Sequence, residues 1–310
     1  MALDRRTFLL SAAATTAAGV LARKAAAQPE TFRANPAGAG PKILKSLKFG
    51  MIGEGETLAD KFRIAKNAGF DGVEMDSPNS FDADEVVAAR DEVGIQIPGV
   101  VDSAHWSKPF NHPDESIRAQ GRDALETALR DCKRFGGSTV LVVPAVVRKG
   151  MSYADAYRLS QKEIGRLVPL AEELGIAIAF ENVWNNFLLS PLEAARYVDE
   201  FQSPNIGWYF DVGNIVNYAW PEQWIDVLGD RIMKIDVKEF SRSKRDNEGL
   251  WKGFGVKIGE GDCDWPAVNA ALDRIDYRGW ASAEVGGGDS ERLIEITKRM
   301  DTVFAPEGEG

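Results

Sequence analysis

The sequence predicts an α/β fold, an eight-stranded (β/α)8 barrel of the TIM type, and three observations carry that reading. Eight strand-length apolar runs alternate with eight helical patterns over about 250 residues, the arithmetic of such a barrel. Most of the runs are apolar throughout rather than alternating, which suits strands buried on both faces of a parallel sheet. Four acidic residues, Glu181, Asp211, Asp236 and Glu284, close four successive runs, and catalytic groups of such barrels come from the C-terminal ends of strands.

The strand-like runs are 47–52, 72–75, 95–101, 139–143, 176–181, 207–211, 232–237 and 280–285. The helical pattern over 57–68 stops at Gly69, that over 82–93 at Gly94, that over 114–135 at Gly136, and a single long one over 153–174 at Gly175. Glycine is the usual residue just past a helix end, because it enters the left-handed region without strain. Helix 191–201 follows Ser190 as N-cap and opens on Pro191, whose fixed φ and missing N–H suit a first helical position. Helix 221–228 ends at Gly229, helix 265–275 starts after Asp264, and 290–300 completes the set. A doubly wound open sheet is the alternative, but no strand–GxGxxG–helix unit supports it. The longest connection, 241–263, follows the seventh strand and belongs on the active face of a barrel, so it is a lid candidate.

The chain divides into 1–27, a linker over 28–46 rich in Pro, Gly and Ala, the barrel over 47–303, and a tail over 304–310. The start, Asp4-Arg5-Arg6-Thr7-Phe8-Leu9-Leu10 followed by a mild apolar stretch and Ala25-Ala26-Ala27, resembles a twin-arginine (Tat) signal peptide. That resemblance implies passage through the twin-arginine translocase and a periplasmic or otherwise exported location. The apolar stretch is too short for a membrane span. The whole chain nets −10. Residues 1–27 hold four basic residues and one acidic, so the remainder nets −13. That charge disfavours nucleic acid and anionic membranes as partners. Two scattered cysteines, Cys132 and Cys263, show no metal-type spacing and read as small core residues, with pairing left open.

A carboxylate ending a buried strand is costly unless something pairs with it. Four of them on strands five to eight can converge on one divalent ion. Oxygen-only sites suit hard cations, so Mn²⁺ or Mg²⁺ is expected first, with Ca²⁺, Co²⁺ or Zn²⁺ behind. The same rim offers Glu74, His105, Trp106, Asn182, Trp184, Asn214, Lys238 and Trp251 as substrate contacts. Indoles stack on the apolar faces of sugars, and amides bond hydroxyls.

The stretches Phe180-Glu-Asn-Val-Trp-Asn-Asn-Phe-Leu-Leu-Ser-Pro191, Tyr209-Phe-Asp-Val-Gly-Asn214, Lys234-Ile-Asp-Val-Lys-Glu239 and Ala283-Glu284 resemble the sugar phosphate isomerase/epimerase superfamily. This family has the xylose isomerase-like TIM barrel. Within it the chain is most similar to the branch of L-xylulose- and L-ribulose-5-phosphate 3-epimerases and D-tagatose 3-epimerase, over about residues 47–300. The resemblance places metal ligands on Glu181, Asp211 and Glu284, and puts Asp236 where the family has histidine. It makes Glu181 and Glu284 the pair that removes and returns a proton beside a carbonyl through an enediolate, and matches Arg242 to a substrate contact. It implies an epimerase or isomerase of a ketose-like sugar, neutral if the protein is exported. A lyase or hydrolase of 3-keto-glycosides and a non-catalytic sugar-binding protein are the alternatives. A homo-oligomer stays open.

Overall fold

The computed structural model describes residues 42–305. The predicted leader 1–27 and most of the predicted linker lie outside them, as does 306–310 of the tail. Within them eight parallel strands close into a barrel in sequence order: β1 (Ile43–Lys48), β2 (Gly72–Ser77), β3 (Gly99–Asp102), β4 (Thr139–Val142), β5 (Ala177–Glu181), β6 (Ile206–Asp211), β7 (Ile232–Val237) and β8 (Gly279–Ala283). Ser46 pairs with both Gly72 of β2 and Ser282 of β8, which seals the ring.

The helices are α1 (Leu58–Asn67), α2 (Ala83–Val93), α3 (Glu115–Phe135), α4 (Tyr153–Gly165), α5 (Val168–Leu174), α6 (Pro191–Asp199), α7 (Val212–Val216), α8 (Pro221–Leu228), α9 (Arg242–Glu248), α10 (Trp265–Arg274) and α11 (Ser290–Val303). Their starts are capped as the sequence suggests. Thr57 and Asp60 form a reciprocal capping box, and Ser190 accepts from the Glu193 amide. Gly94, Gly136 and Gly175 end α2, α3 and α5 in the left-handed region.

Several boundaries differ from the sequence reading; the third strand, expected over 95–101, is confined to Gly99–Asp102, and the last helix runs on to Val303. The first strand runs from Ile43 to Lys48 instead of 47–52, so the barrel begins inside the expected linker. The expected helix 153–174 breaks into α4 and α5, because Pro169 in the first turn of α5 has no N–H to continue the ladder. Connection 241–263 contains α9 and a 3-10 turn at Leu250–Phe254. Phe304, placed in the tail, packs edge-on against Trp265.

Alternation along the strands builds two cores. Ile178, Phe180, Trp208, Phe210 and Ile235 face the helix shell within the main cluster. Leu141, Ala177, Ala179, Tyr209 and Met233 form a second cluster inside the barrel. A bulge lies between β6 and β7, where Trp208 pairs with Ile232 but Tyr209 with Lys234. Met233 is the extra residue there, and it lies so close to Gly207 that a Cβ on that glycine would come within 2.5 Å of its terminal methyl. Cys132 and Cys263 are buried and free, so both serve as small core residues. No helix among the described residues is long and apolar enough to cross a membrane.

Candidate active site and metal centre

The alternation that buries Phe180, Phe210 and Ile235 toward the helices turns their neighbours Glu181, Asp211 and Asp236 inward at the mouth. Glu284 follows one residue beyond β8. The four carboxylates each bring one oxygen within 4.8 Å of all the others. Asp211 and Asp236 are wholly buried and Glu181 nearly so. Asp211 also caps α7, accepting from the Asn214 amide at 2.7 Å, which fixes its rotamer.

Lysines from three levels of the barrel answer this charge. Lys238 lies 2.9 Å from Asp211 Oδ2 and 3.3 Å from Glu284 Oε2. Lys48 lies 2.8 Å from Asp236 Oδ1 and 2.7 Å from Glu74 Oε2. Lys234, deeper still, reaches Glu74 Oε1 at 3.2 Å and donates to the Pro98 carbonyl. The Tyr209 hydroxyl donates to Glu74 at 2.8 Å, and Lys48 packs 4.6 Å over its ring. Burial and then the repulsion of Glu284 and Asp236 raise Glu181 well above the usual carboxylate range. Burial also raises Asp236, against the pull of Lys48, and raises Asp211, against that of Lys238. Burial opposes ionisation of Glu284 too, but Lys238 and Lys48 hold it below its ordinary value. Glu74 falls to about 2 in spite of its burial, because Lys48 and Lys234 flank it.

The residues fit a divalent ion. Asp211 Oδ2, both oxygens of Asp236 and Glu284 Oε2 accept no hydrogen bond. Five carboxylates face three ammonium groups, two positive charges short of balance. An all-oxygen donor set of this kind favours a hard cation.

Above the carboxylates opens a cleft of about 780 Å³, lined by Glu181, Trp184, Asn214, Lys238, Trp251 and Glu284 among others. Trp106 lies on its rim. Trp184 donates from Nε1 to the Asn214 carbonyl at 2.9 Å, and its ring meets Trp251 at 4.8 Å and Phe254 at 5.0 Å. The 241–263 connection therefore does lie over the mouth.

Four expected substrate contacts are placed elsewhere. Glu74 lies below the mouth with both oxygens engaged, because β2 continues past it to Ser77. Asn182 is buried and holds β6, accepting from Trp208 Nε1 at 2.9 Å and the Asp211 amide at 3.0 Å. Arg242 turns away from the cleft. It donates to the carbonyls of Val216 and Ala219 and stacks on Trp220 at 4.6 Å. His105 is buried beside the site, and its Nδ1 accepts from the Val143 amide at 3.2 Å. Burial lowers it to about 3, so the ring is neutral with its proton on Nε2. Sequence reasoning missed Lys48, whose signal was its place at the end of a strand drawn four residues late, and Phe254, hidden in the long connection.

The family description "Xylose isomerase-like TIM barrel" matches residues 62–300. The chain belongs to that family. An L-ribulose-5-phosphate 3-epimerase of Salmonella paratyphi C is 25% identical over 267 residues, covering 81% of this chain and 90% of its own. D-allulose 3-epimerase from Methylomonas sp., solved with D-allulose, superposes with a TM-score of 0.68 at 21% identity, covering 85% of this chain and 98% of that one. The IolI protein, solved with a zinc atom, gives 0.70 at 18% identity, covering 85% and 98%.

Proposed function

We propose that this protein is a divalent-metal-dependent epimerase or isomerase of a ketose-like, neutral sugar, working by proton transfer at the carbon beside a carbonyl. The observation that carries this reading is the convergence of Glu181, Asp211, Asp236 and Glu284 at the floor of a cleft of about 780 Å³. A bound Mn²⁺ or Mg²⁺ would supply Lewis-acid polarisation of the carbonyl. Asp211 and Asp236, the two most buried acids, serve as holders of the ion. Glu181 and Glu284 come from the two ends of the β5–β8 arc, so they can address opposite sides of a bound sugar, one removing a proton and the other returning one. Lys238, between Asp211 and Glu284, is placed to donate to a substrate oxygen.

The leader reading places the reaction in the periplasm, after export of the folded protein by the twin-arginine translocase. Sugar phosphates are mostly cytoplasmic, which is the reason for expecting a neutral substrate. Cell fractionation with and without Arg5→Lys/Arg6→Lys tests the location. The reaction test is proton NMR in D₂O on a panel of keto-sugars with Mn²⁺. Deuterium entering the carbon beside the carbonyl, with inversion and no fragment released, supports the epimerase reading. Release of an aglycone from a 3-keto-glycoside, lost in Glu181→Gln, would replace it with β-elimination. Sugar binding with neither event would leave a binding protein.

A further inference from the structure

We propose that the aromatic side chains of the cleft form a subsite for a planar apolar group joined to the sugar, so that the substrate is an aryl glycoside that keeps a ketone on its sugar ring rather than a free monosaccharide. The inference rests on the sugar-binding reading of the carboxylate floor and extends it to the other end of the substrate.

Glu181, Asn214, Lys238 and Glu284 line the cleft, and so do four aromatic side chains: Trp184, Trp251 and Phe254, stacked together, and Trp106. A free hexose has hydroxyls all round and suits the polar groups. It does not fill a space of about 780 Å³, which lies within the ~300–1,000 Å³ typical of sites for drug-sized ligands. The aromatic part is preformed. Trp184 is held by its bond to the Asn214 carbonyl, and Trp251 and Phe254 stack on it at interplanar angles of 43° and 37°. Trp251 nevertheless stays 70% exposed and Trp106 46% exposed, apolar area that a ligand ring would cover.

The stacked rings favour an aryl group over a second sugar. Of the other polar side chains lining the cleft, Lys257 is paired with Glu295, and Arg292 donates to the Gly286 carbonyl and Glu295. A second sugar needs in-plane partners for its hydroxyls, and the faces of stacked rings supply none. A planar aromatic ring needs none, and aromatic pairs prefer the offset or tilted geometry that this wall offers.

The test is isothermal titration calorimetry on the Mn²⁺-loaded protein with methyl and phenyl 3-keto-β-D-glucopyranoside. The phenyl glycoside should bind about tenfold tighter or more. Trp251→Ala should remove most of that advantage and leave the methyl glycoside's Kd unchanged. Trp106→Ala should do the same to a smaller extent. Trp251 is too exposed for its truncation to unfold the barrel, and the melting curve verifies this. Equal affinities for the two glycosides, or a Trp251→Ala loss shared by both, overturn the subsite while leaving the sugar reading of the floor intact. Failure of both glycosides to bind overturns both. Loss of a dimer in Trp251→Ala, with both Kd values unchanged, makes the aromatic side a contact between copies and overturns the subsite.

Discussion

Asp236 and Glu239 stand three residues apart at the end of β7, both acidic and both buried, and their surroundings are opposite. Glu239 accepts four hydrogen bonds. Oε1 takes the amides of Phe240 and Cys263, each at 3.2 Å; Oε2 takes the Gly259 amide at 2.7 Å and Trp265 Nε1 at 2.9 Å. Asp236 has no such set of donors: no backbone amide reaches either oxygen, and Lys48 lies 2.8 Å from Oδ1. A buried acid with its lone pairs filled is a clamp; here it ties the return of the 241–263 connection to the barrel. A buried acid left bare among three others keeps its lone pairs for a cation. The difference teaches that burial and residue type do not separate structural from chemical acids, whereas satisfaction does.

The largest effect should come from the chemical side. Glu181→Gln and Glu284→Gln should each lower exchange of substrate hydrogen with D₂O about 10²–10⁴-fold, with unchanged circular dichroism. Chelation should do the same reversibly. Full exchange in either variant would remove that carboxylate from the chemistry. Next is the clamp. Glu239→Ala leaves four donors unpaired and should cost about 3 kcal/mol in urea unfolding, with faster proteolysis inside 241–263 and metal content unchanged. A metal loss equal to that of an Asp236 variant would erase the distinction between the two acids. Asp236→Asn should weaken Mn²⁺ binding at least about tenfold, while the metal-free protein loses less than about 1 kcal/mol, since Lys48 keeps Glu74 as partner.

The smallest effect sharpens the contrast with a third acid. Asp102 is buried, one oxygen accepting from the Ala104 amide and the other unpartnered. Burial raises it to about 7 against an ordinary 3.8. The folded state therefore holds the proton more tightly than the unfolded one, and the stability this gives is full below about pH 4 and lost as pH rises through 7. Asp102→Asn should thus gain on the wild type by about 1 kcal/mol between pH 6 and pH 8 in paired urea titrations. A flat difference would place Asp102 with the satisfied acids.

The barrel was legible because both-face burial leaves apolar runs, and runs ending in Glu181, Asp211 and Asp236 mark the mouth. The first strand was placed late because Ile43-Leu-Lys-Ser-Leu-Lys48 interleaves lysines with its apolar residues and follows a Pro/Gly-rich stretch. That error hid Lys48. Glu74, Asn182 and Arg242 show another limit. Their chemistry suits a sugar site, but direction decides their role, and direction depends on where β2 ends and on which carbonyls Arg242 meets across the fold. His105 is buried beside the cleft, and its neutrality follows from burial that no local pattern encodes.

The contact between Gly207 and Met233 couples two positions on neighbouring strands. A methyl at 207 would meet three atoms of the Met233 side chain, all within 2.7 Å, so one volume is shared by both. Because a methionine is long and adaptable, its end can turn aside, and a Gly207→Ala change is absorbed either by a moved Met233 or by a shorter residue there; the bulge thus holds a reserve of room that only a side chain at 233 fills.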